Sequence, residues 1–252
     1  MKINIKQLTG LLEGLADSDI GLRRRTVAAL AKYTNTEWEG SPEAVTAVIT
    51  ALLGPPRPVW PDNPTRVEVA RTLGNIGSQS PLAVPELLRM LKEDRDTAVR
   101  AESARALGRI GEPAASAGRA LAAALANTKG DDHLRGEAAR ALARVVPKAP
   151  STTEALTEAA EDRSGHVGVA AAESLWRVSG DVGQAVPSLV ARLSDPAVRQ
   201  AAAQALYRIG TAAEAAVPHL LKAADSKDRL FREAVQMALL KIAPGAVKTS
   251  HK

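Results

Sequence analysis

TAVRAESARALGRIG at residues 97–111 returns almost unchanged as PAVRQAAAQALYRIG at 196–210 and, more loosely, as LFREAVQMALLKIAP at 230–244. Self-similarity at a fixed period marks a repeat architecture, so this stretch decides the fold. Leu107, Leu206 and Leu239 hold the same place in the three copies. Carrying that anchor along the chain picks out Leu30, Leu73, Leu107, Leu142, Leu175, Leu206 and Leu239, spaced 43, 34, 35, 33, 31 and 33 residues apart. The chain therefore reads as seven units, with an insertion in the one long interval.

Around each anchor the apolar positions have helical spacing. Three residues later stand Tyr33, Ile76, Ile110, Val145, Val178, Ile209 and Ile242; eight earlier stand Leu22, Thr65, Val99, Leu134, Val167, Val198 and Phe231. At 100° per residue these offsets fall within about 80° of the anchor, which is one face of an α-helix. Alanines three and four before it, such as Ala104, Ala138, Ala171 and Ala202, let neighbouring helices approach closely. A shorter apolar helix precedes each of these, as in AVPELLRMLKED (83–94), AVPSLVARLSD (185–195) and AVPHLLKAAD (216–225). Pro85, Pro187 and Pro218 are expected in first helical turns, where a missing N–H costs little. Gly77, Gly111 and Gly180 are expected as C-terminal caps. Each unit is helix–turn–helix, and none can bury its apolar stripe without stacking on a neighbour.

Seven residues before the anchor stand Arg23, Arg66, Arg100, Arg135, Gly168, Arg199 and Arg232. Four earlier again stand Asp19, Asp62, Asp96, Asp131, Ser164, Asp195 and Asp228. The Asp suits a helix entrance, where it accepts hydrogen bonds from free N–H groups. The Arg is expected between units, its fork tied to its own Asp or a neighbour's. The fifth unit has lost both together, which suggests a pair.

The pattern D-x-x-x-R, then A-x-x-A-L-x-x-I-G, resembles a HEAT repeat, and the short units resemble the HEAT-like repeats named after phycobilisome lyase subunits. The resemblance implies an all-α, right-handed α-solenoid of about seven repeats. They fall at about 3–34, 41–77, 81–111, 113–147, 151–179, 183–210 and 213–243, in a single domain 1–252. It also implies that the second helices line the concave side. The HEAT-like deoxyhypusine hydroxylases carry repeated His-Glu dipeptides as iron ligands, and this chain has none.

Composition excludes other classes. Aromatic residues are 2% of the 252, which disfavours a β-sandwich or barrel. Cysteine is absent, so disulfides, thiolate catalysis and Cys-ligated metal are ruled out. No apolar run reaches the ~20 residues a bilayer span needs, and MKINIKQLTG does not read as a signal peptide. The expectation is a soluble, cytoplasmic protein without membrane contact. Phosphate-binding glycine loops, G-x-S-x-G and H-E-x-x-H are missing. His133 and His166 occupy equivalent positions in adjacent units, yet two imidazoles make a poor metal site. No catalytic residue, metal or cofactor is assigned. Enzymatic activity is left open, with a non-enzymatic role the leading expectation.

The working surface lies opposite the core stripe of the second helices. Two residues after the anchor the chain reads Lys32, Asn75, Arg109, Arg144, Arg177, Arg208 and Lys241; two before, it includes Arg71, Arg105 and Arg140. Glu68, Glu102 and Glu137 stand three residues before those last three and neutralise part of the stripe, at about 0.2–0.5 kcal/mol per helical pair. The basic residues two after the anchor have no comparable repeated acidic partner in sequence. A net charge of +5 agrees with an acidic partner. Trp176 and Tyr207, one after their anchors, make an aromatic–arginine patch or simply fill the flank between helices. The insertion GPPRPVWPDNP (54–64), with Trp60 at its centre, is either a docking loop or a flap on the solenoid.

Two functions stand against each other. One is a scaffold or adaptor holding an acidic segment of another protein on Arg71, Arg105, Arg109, Arg140, Arg144, Arg177 and Arg208, with Trp176, Tyr207 and Trp60 giving apolar contact. The alternative is a nucleic-acid-binding protein, similar to the HEAT-like DNA glycosylases, or a lyase or other enzyme subunit active only with its partner.

Overall fold

The computed structural model describes residues 5–33, 42–53, 62–77 and 82–245. Fourteen α-helices lie among them, two for each repeat. The first helices are α1 (Ile5–Ala16), α3 (Pro42–Leu53), α5 (Ala83–Glu93), α7 (Gly118–Ala126), α9 (Pro150–Ala160), α11 (Val182–Ala191) and α13 (Val217–Ala223). The second helices, which carry the anchors, are α2 (Ile20–Leu30), α4 (Asn63–Ile76), α6 (Thr97–Ile110), α8 (Asp132–Val145), α10 (Gly165–Ser179), α12 (Arg199–Ile209) and α14 (Arg229–Ile242). The architecture is the all-α repeat stack the periodicity predicts.

The chain divides into two compact units, Met1–Val146 and Pro147–Lys252. The first holds four helix pairs, with α4 packed on α2, α6 on α4 and α8 on α6. The second holds three, with α12 packed on α10 and α14 on α12. All seven anchor leucines are at most 2% exposed, and burying each is worth about 1.5–3 kcal/mol. In the first unit the second helices meet at glycine. A Cβ on Gly74 would lie 2.7 Å from the Ala106 Cα, and one on Gly108 2.9 Å from the Ala141 Cα. Those contacts let α4, α6 and α8 approach backbone to backbone.

Asp and Arg of the repeated rung do separate jobs. The Asp caps its own helix in five repeats: Gly21 N–H donates to Asp19, Thr65 N–H to Asp62, Ala98 N–H to Asp96, Leu134 N–H to Asp131, and Leu230 N–H to Asp228. Asp195 instead accepts from Ala197 N–H, ahead of a helix whose N-cap is Val198. The Arg mostly reaches back to the end of the preceding first helix. Arg23 donates to the Asp17 carbonyl at 2.7 Å, Arg100 to Leu91 at 3.1 Å, Arg135 to Leu125 at 3.1 Å and Arg232 to Ser226 at 2.6 Å. A cation there satisfies free carbonyls and the negative end of the helix dipole. The expected tie to a neighbour's Asp is made by Arg199, which donates to Asp228 at 2.9 Å. Arg66 pairs with the Asp94 carboxylate at 2.8 Å.

The fifth unit explains its own irregularity. Gly168 leaves a space that Arg192, from the 3-10 turn Arg192–Ser194 after α11, fills completely; a Cβ on Gly168 would meet that guanidinium. Arg192 donates to the Ala160 and Asp162 carbonyls at 2.8 and 3.0 Å. The next repeat thus supplies the staple that the fifth lacks.

Pro187 departs from expectation: it lies inside α11 rather than in its first turn. Gly77 ends α4 without a left-handed backbone, whereas Gly111 and Gly180 have positive φ of 75° and 70°. Trp60 and residues 54–61 of the proline-rich insertion lie outside the described residues.

Candidate anion-binding face

The floor of the first unit's candidate site is the run of close helix contacts at Gly74, Gly108 and Ala141. Where backbones pack this tightly, flanking side chains at two before and two after the anchor are forced outward beside one another. Arg71 stands on α4, Arg105 and Arg109 on α6, and Arg140 and Arg144 on α8. The structure brings these five together.

Glutamates five residues before the anchor organise them. Glu102 is buried, its side chain 4% exposed, and lies among three guanidinium groups. Arg105 and Arg109 donate to it at 3.0 and 3.1 Å, and Arg71 lies 3.6 Å away. Glu137 accepts from Arg105 Nε at 3.0 Å and Arg140 Nη1 at 2.9 Å. Glu68 accepts from Arg71 at 2.6 Å. Carboxylates and guanidiniums therefore alternate across α4, α6 and α8. Each shared glutamate bridges adjacent repeats and fixes the arginine rotamers around it.

The electrostatics follow from that alternation. Burial would raise the Glu137 carboxyl, but the hydrogen bond from Arg105 and the charges of Arg105, Arg140 and His133 outweigh it, holding the group below the usual glutamate range. Arg105 is correspondingly raised, first by its hydrogen bond to Glu137. Arg109 does have an acidic partner, in Glu102 seven residues earlier, where the sequence spacing suggested none. Arg144 is exposed and makes no ion pair among the described residues. Between α6 and α8 the arrangement leaves a cleft of about 290 Å³ lined by Arg105, Gly108, Arg109, Glu137, Arg140, Ala141 and Arg144. Four guanidiniums face one carboxylate there.

The second unit carries the remaining candidates on a different plan. Glu173 stands where earlier repeats have arginine, two before the anchor. Arg208 grips it with a two-pronged fork at 2.7 Å on each arm, and Arg177 lies 3.4 Å away. Both arginines thus have a carboxylate partner that the sequence reading missed. Lys241 sits 4.4 Å over the Tyr207 ring, and Trp176 is half-buried. Tyr207 also lines an open groove of about 310 Å³ with Gln200, Gln204, Leu230, Glu233, Ala234 and Met237. The signal for Glu102, Glu137 and Glu173 was present in the repeat register: Glu recurs five before the anchor in repeats two to four, and charge reverses two before it in repeat five.

No group of three or more potential metal ligands occurs among the described residues. No helix there is long and apolar enough to cross a membrane.

Stacked helix pairs with Asp caps, close second-helix contacts and a charged outer face define the class. The chain belongs to the HEAT-repeat family: the HEAT repeats model matches residues 60–127 and 180–240, just over half of it. Among solved structures it is similar to the complex of CpcE and CpcF of phycocyanin lyase from Nostoc sp. PCC7120. That match has 23% identity and a TM-score of 0.60, covering 95% of this chain and 88% of that one. It is also similar to a mutant of Kap121p (14% identity, TM-score 0.53, 97% of this chain and 34% of that one). Kap121p bound to Nup53p matches at 16% identity and a TM-score of 0.51, over 98% of this chain and 30% of that one. At these identities the likeness is one of fold. Among curated proteins, none matches the sequence.

Proposed function

We propose that this protein is a non-enzymatic interaction module that holds an acidic segment of a partner protein against the arginine face of α4, α6 and α8. The observation that carries the reading is the cleft between α6 and α8, where Arg105, Arg109, Arg140 and Arg144 converge on one side of a glycine–alanine floor. Burying Glu102 and Glu137 fixes the arginines before a ligand arrives, which lowers the entropic cost of binding. Arg71 extends the face onto α4. In the second unit Trp176, Arg177, Tyr207 and Arg208 form a smaller patch that supplies apolar contact, with most of its charge neutralised by Glu173. The similar folds of CpcE with CpcF and of Kap121p with Nup53p occur in protein complexes, which agrees with a role in assembly.

A fluorescent glutamate-rich peptide, titrated at low and at physiological salt, tests this. Binding is expected to weaken with salt, and to weaken further by about tenfold in Arg140→Gln/Arg144→Glu with helicity unchanged. Full binding by that variant would remove the α6–α8 cleft from the interface. Preference for a DNA duplex, with log affinity falling by about 0.9 per phosphate contact against log salt, would favour nucleic acid instead.

A further inference from the structure

The cleft between α6 and α8 has more positive charge than a line of carboxylates requires. Arg105 and Arg109 stand four residues apart on one helix, and Arg140 and Arg144 four apart on the next. Like charges at that spacing disfavour a helix by a few tenths of a kcal/mol per pair. Glu102 and Glu137 offset part of this, yet each binds its arginines through only one or two N–H groups. The Nη2 groups of Arg105, Arg109 and Arg140, and the whole of Arg144, make no hydrogen bond among the described residues. Arg105, Arg109, Arg140 and Arg144 line a space of about 290 Å³, and Glu102 and Glu137 offset two of their four charges, leaving an excess of two.

An incoming carboxylate has two oxygens and one charge, and one guanidinium fork satisfies it. A phosphate monoester has three terminal oxygens and close to two charges at neutral pH. It can accept from three or four guanidiniums at once, and it balances the excess charge of the cleft. We infer that the α6–α8 cleft is a receptor for a phosphorylated side chain of the partner protein, seated by Arg105, Arg109, Arg140 and Arg144. This rests on the proposal that the face holds a partner's acidic segment, and it names the group at the centre of that segment. Arg144 is the selective contact, because it has no carboxylate to hold and stays available to the ligand.

The experiment compares three peptides of one acidic sequence, carrying phosphoserine, glutamate or serine at the central position. It adds inorganic phosphate and a DNA duplex as separate probes, all titrated by calorimetry against the full chain. The phosphoserine peptide is expected to bind at least about tenfold more tightly than the glutamate peptide. Arg144→Gln should remove most of that preference, while Arg163→Gln, an exposed arginine of the second unit, leaves it intact. Unchanged thermal unfolding of Arg144→Gln would show that the loss is not a folding defect. Equal binding of the phosphoserine and glutamate peptides overturns this inference and leaves the acidic-segment proposal standing. No binding by any peptide overturns both. Binding of inorganic phosphate with no added affinity from the peptide overturns the protein source of the phosphate, and preference for the duplex does the same.

Discussion

Glu102 and Glu137 set the rotamers of the candidate site, since each takes hydrogen bonds from arginines of two positions and holds them at a helix junction. Glu137 has a lowered native value, so its contribution to stability is complete above the ordinary glutamate value of about 4.3. The contribution is lost as pH falls through the lower native value. Chemical denaturation at a series of acid pH values should therefore show a steeper loss of stability in the native chain than in Glu137→Gln. Near neutral pH that substitution is expected to cost about 1.5–3 kcal/mol, the scale of a charged hydrogen bond. Parallel pH curves would mean that the Arg105–Glu137–Arg140 bridge is not made in solution. Arg144→Gln should change stability by less than about 0.5 kcal/mol. An arginine whose removal harms binding but not folding is the mark of a ligand contact.

At the scale of the helix, the repeated arginine works as a staple on the end of the first helix, and repeat five reaches the same end by another route. Arg192 occupies the room left by Gly168 and caps the carbonyls of Ala160 and Asp162. Gly168→Arg alone should be strongly destabilising, because its side chain would occupy the Arg192 space. Arg192→Ala should be destabilising too, by about 1–3 kcal/mol, through the carbonyls it leaves unpaired. The combination Gly168→Arg/Arg192→Ala is expected to recover part of the loss, read as a shift in thermal midpoint. Additive losses in the double variant would contradict the replacement. Gly74→Val tests the close contact of α4 and α6 in the same way: it should destabilise by about 2 kcal/mol or more, since the branched side chain meets the Ala106 backbone.

These same elements show what could be read from sequence. The anchors, the Asp caps and the pairing of helices were legible, because each recurs at a fixed offset and periodicity reports one face of a helix directly. The joint loss at Ser164 and Gly168 was legible as well. Its remedy was not, since Arg192 stands at a position where no other repeat has arginine, and only packing places it over Gly168. Glu173 stands four before Arg177 on the same helix and was within reach of sequence spacing, but the partners of Arg109 and Arg208 were not, for a related reason. Spacing along one helix finds neighbours three and four apart, while Glu102 serves Arg109 across two turns and Glu173 serves Arg208 from another repeat.

Across the whole molecule, a net charge of +5 is too mild to define a partner; its arrangement carries the information. Glutamate five before the anchor and arginine two before it occur together only in repeats two to four. Repeats five to seven place Ala170, Ala201 and Ala234 at the first position, and Glu173, Gln204 and Met237 at the second. The guanidinium-rich face therefore belongs to the first compact unit, and the second unit offers a paired, partly apolar surface. Salt should accordingly act on binding at the first unit's face far more than on the fold, whose core is leucine and alanine. The most direct measurement is a nitrogen–proton spectrum of the arginine side chains, recorded while the acidic phosphoserine peptide is added to the full chain. The Nε–Hε signals of Arg105, Arg109, Arg140 and Arg144 should move together and saturate at one concentration, with Arg163 and Arg229 unmoved. Shifts confined to Arg177 and Arg208, or spread evenly over all arginines, would contradict a binding face built on α6 and α8.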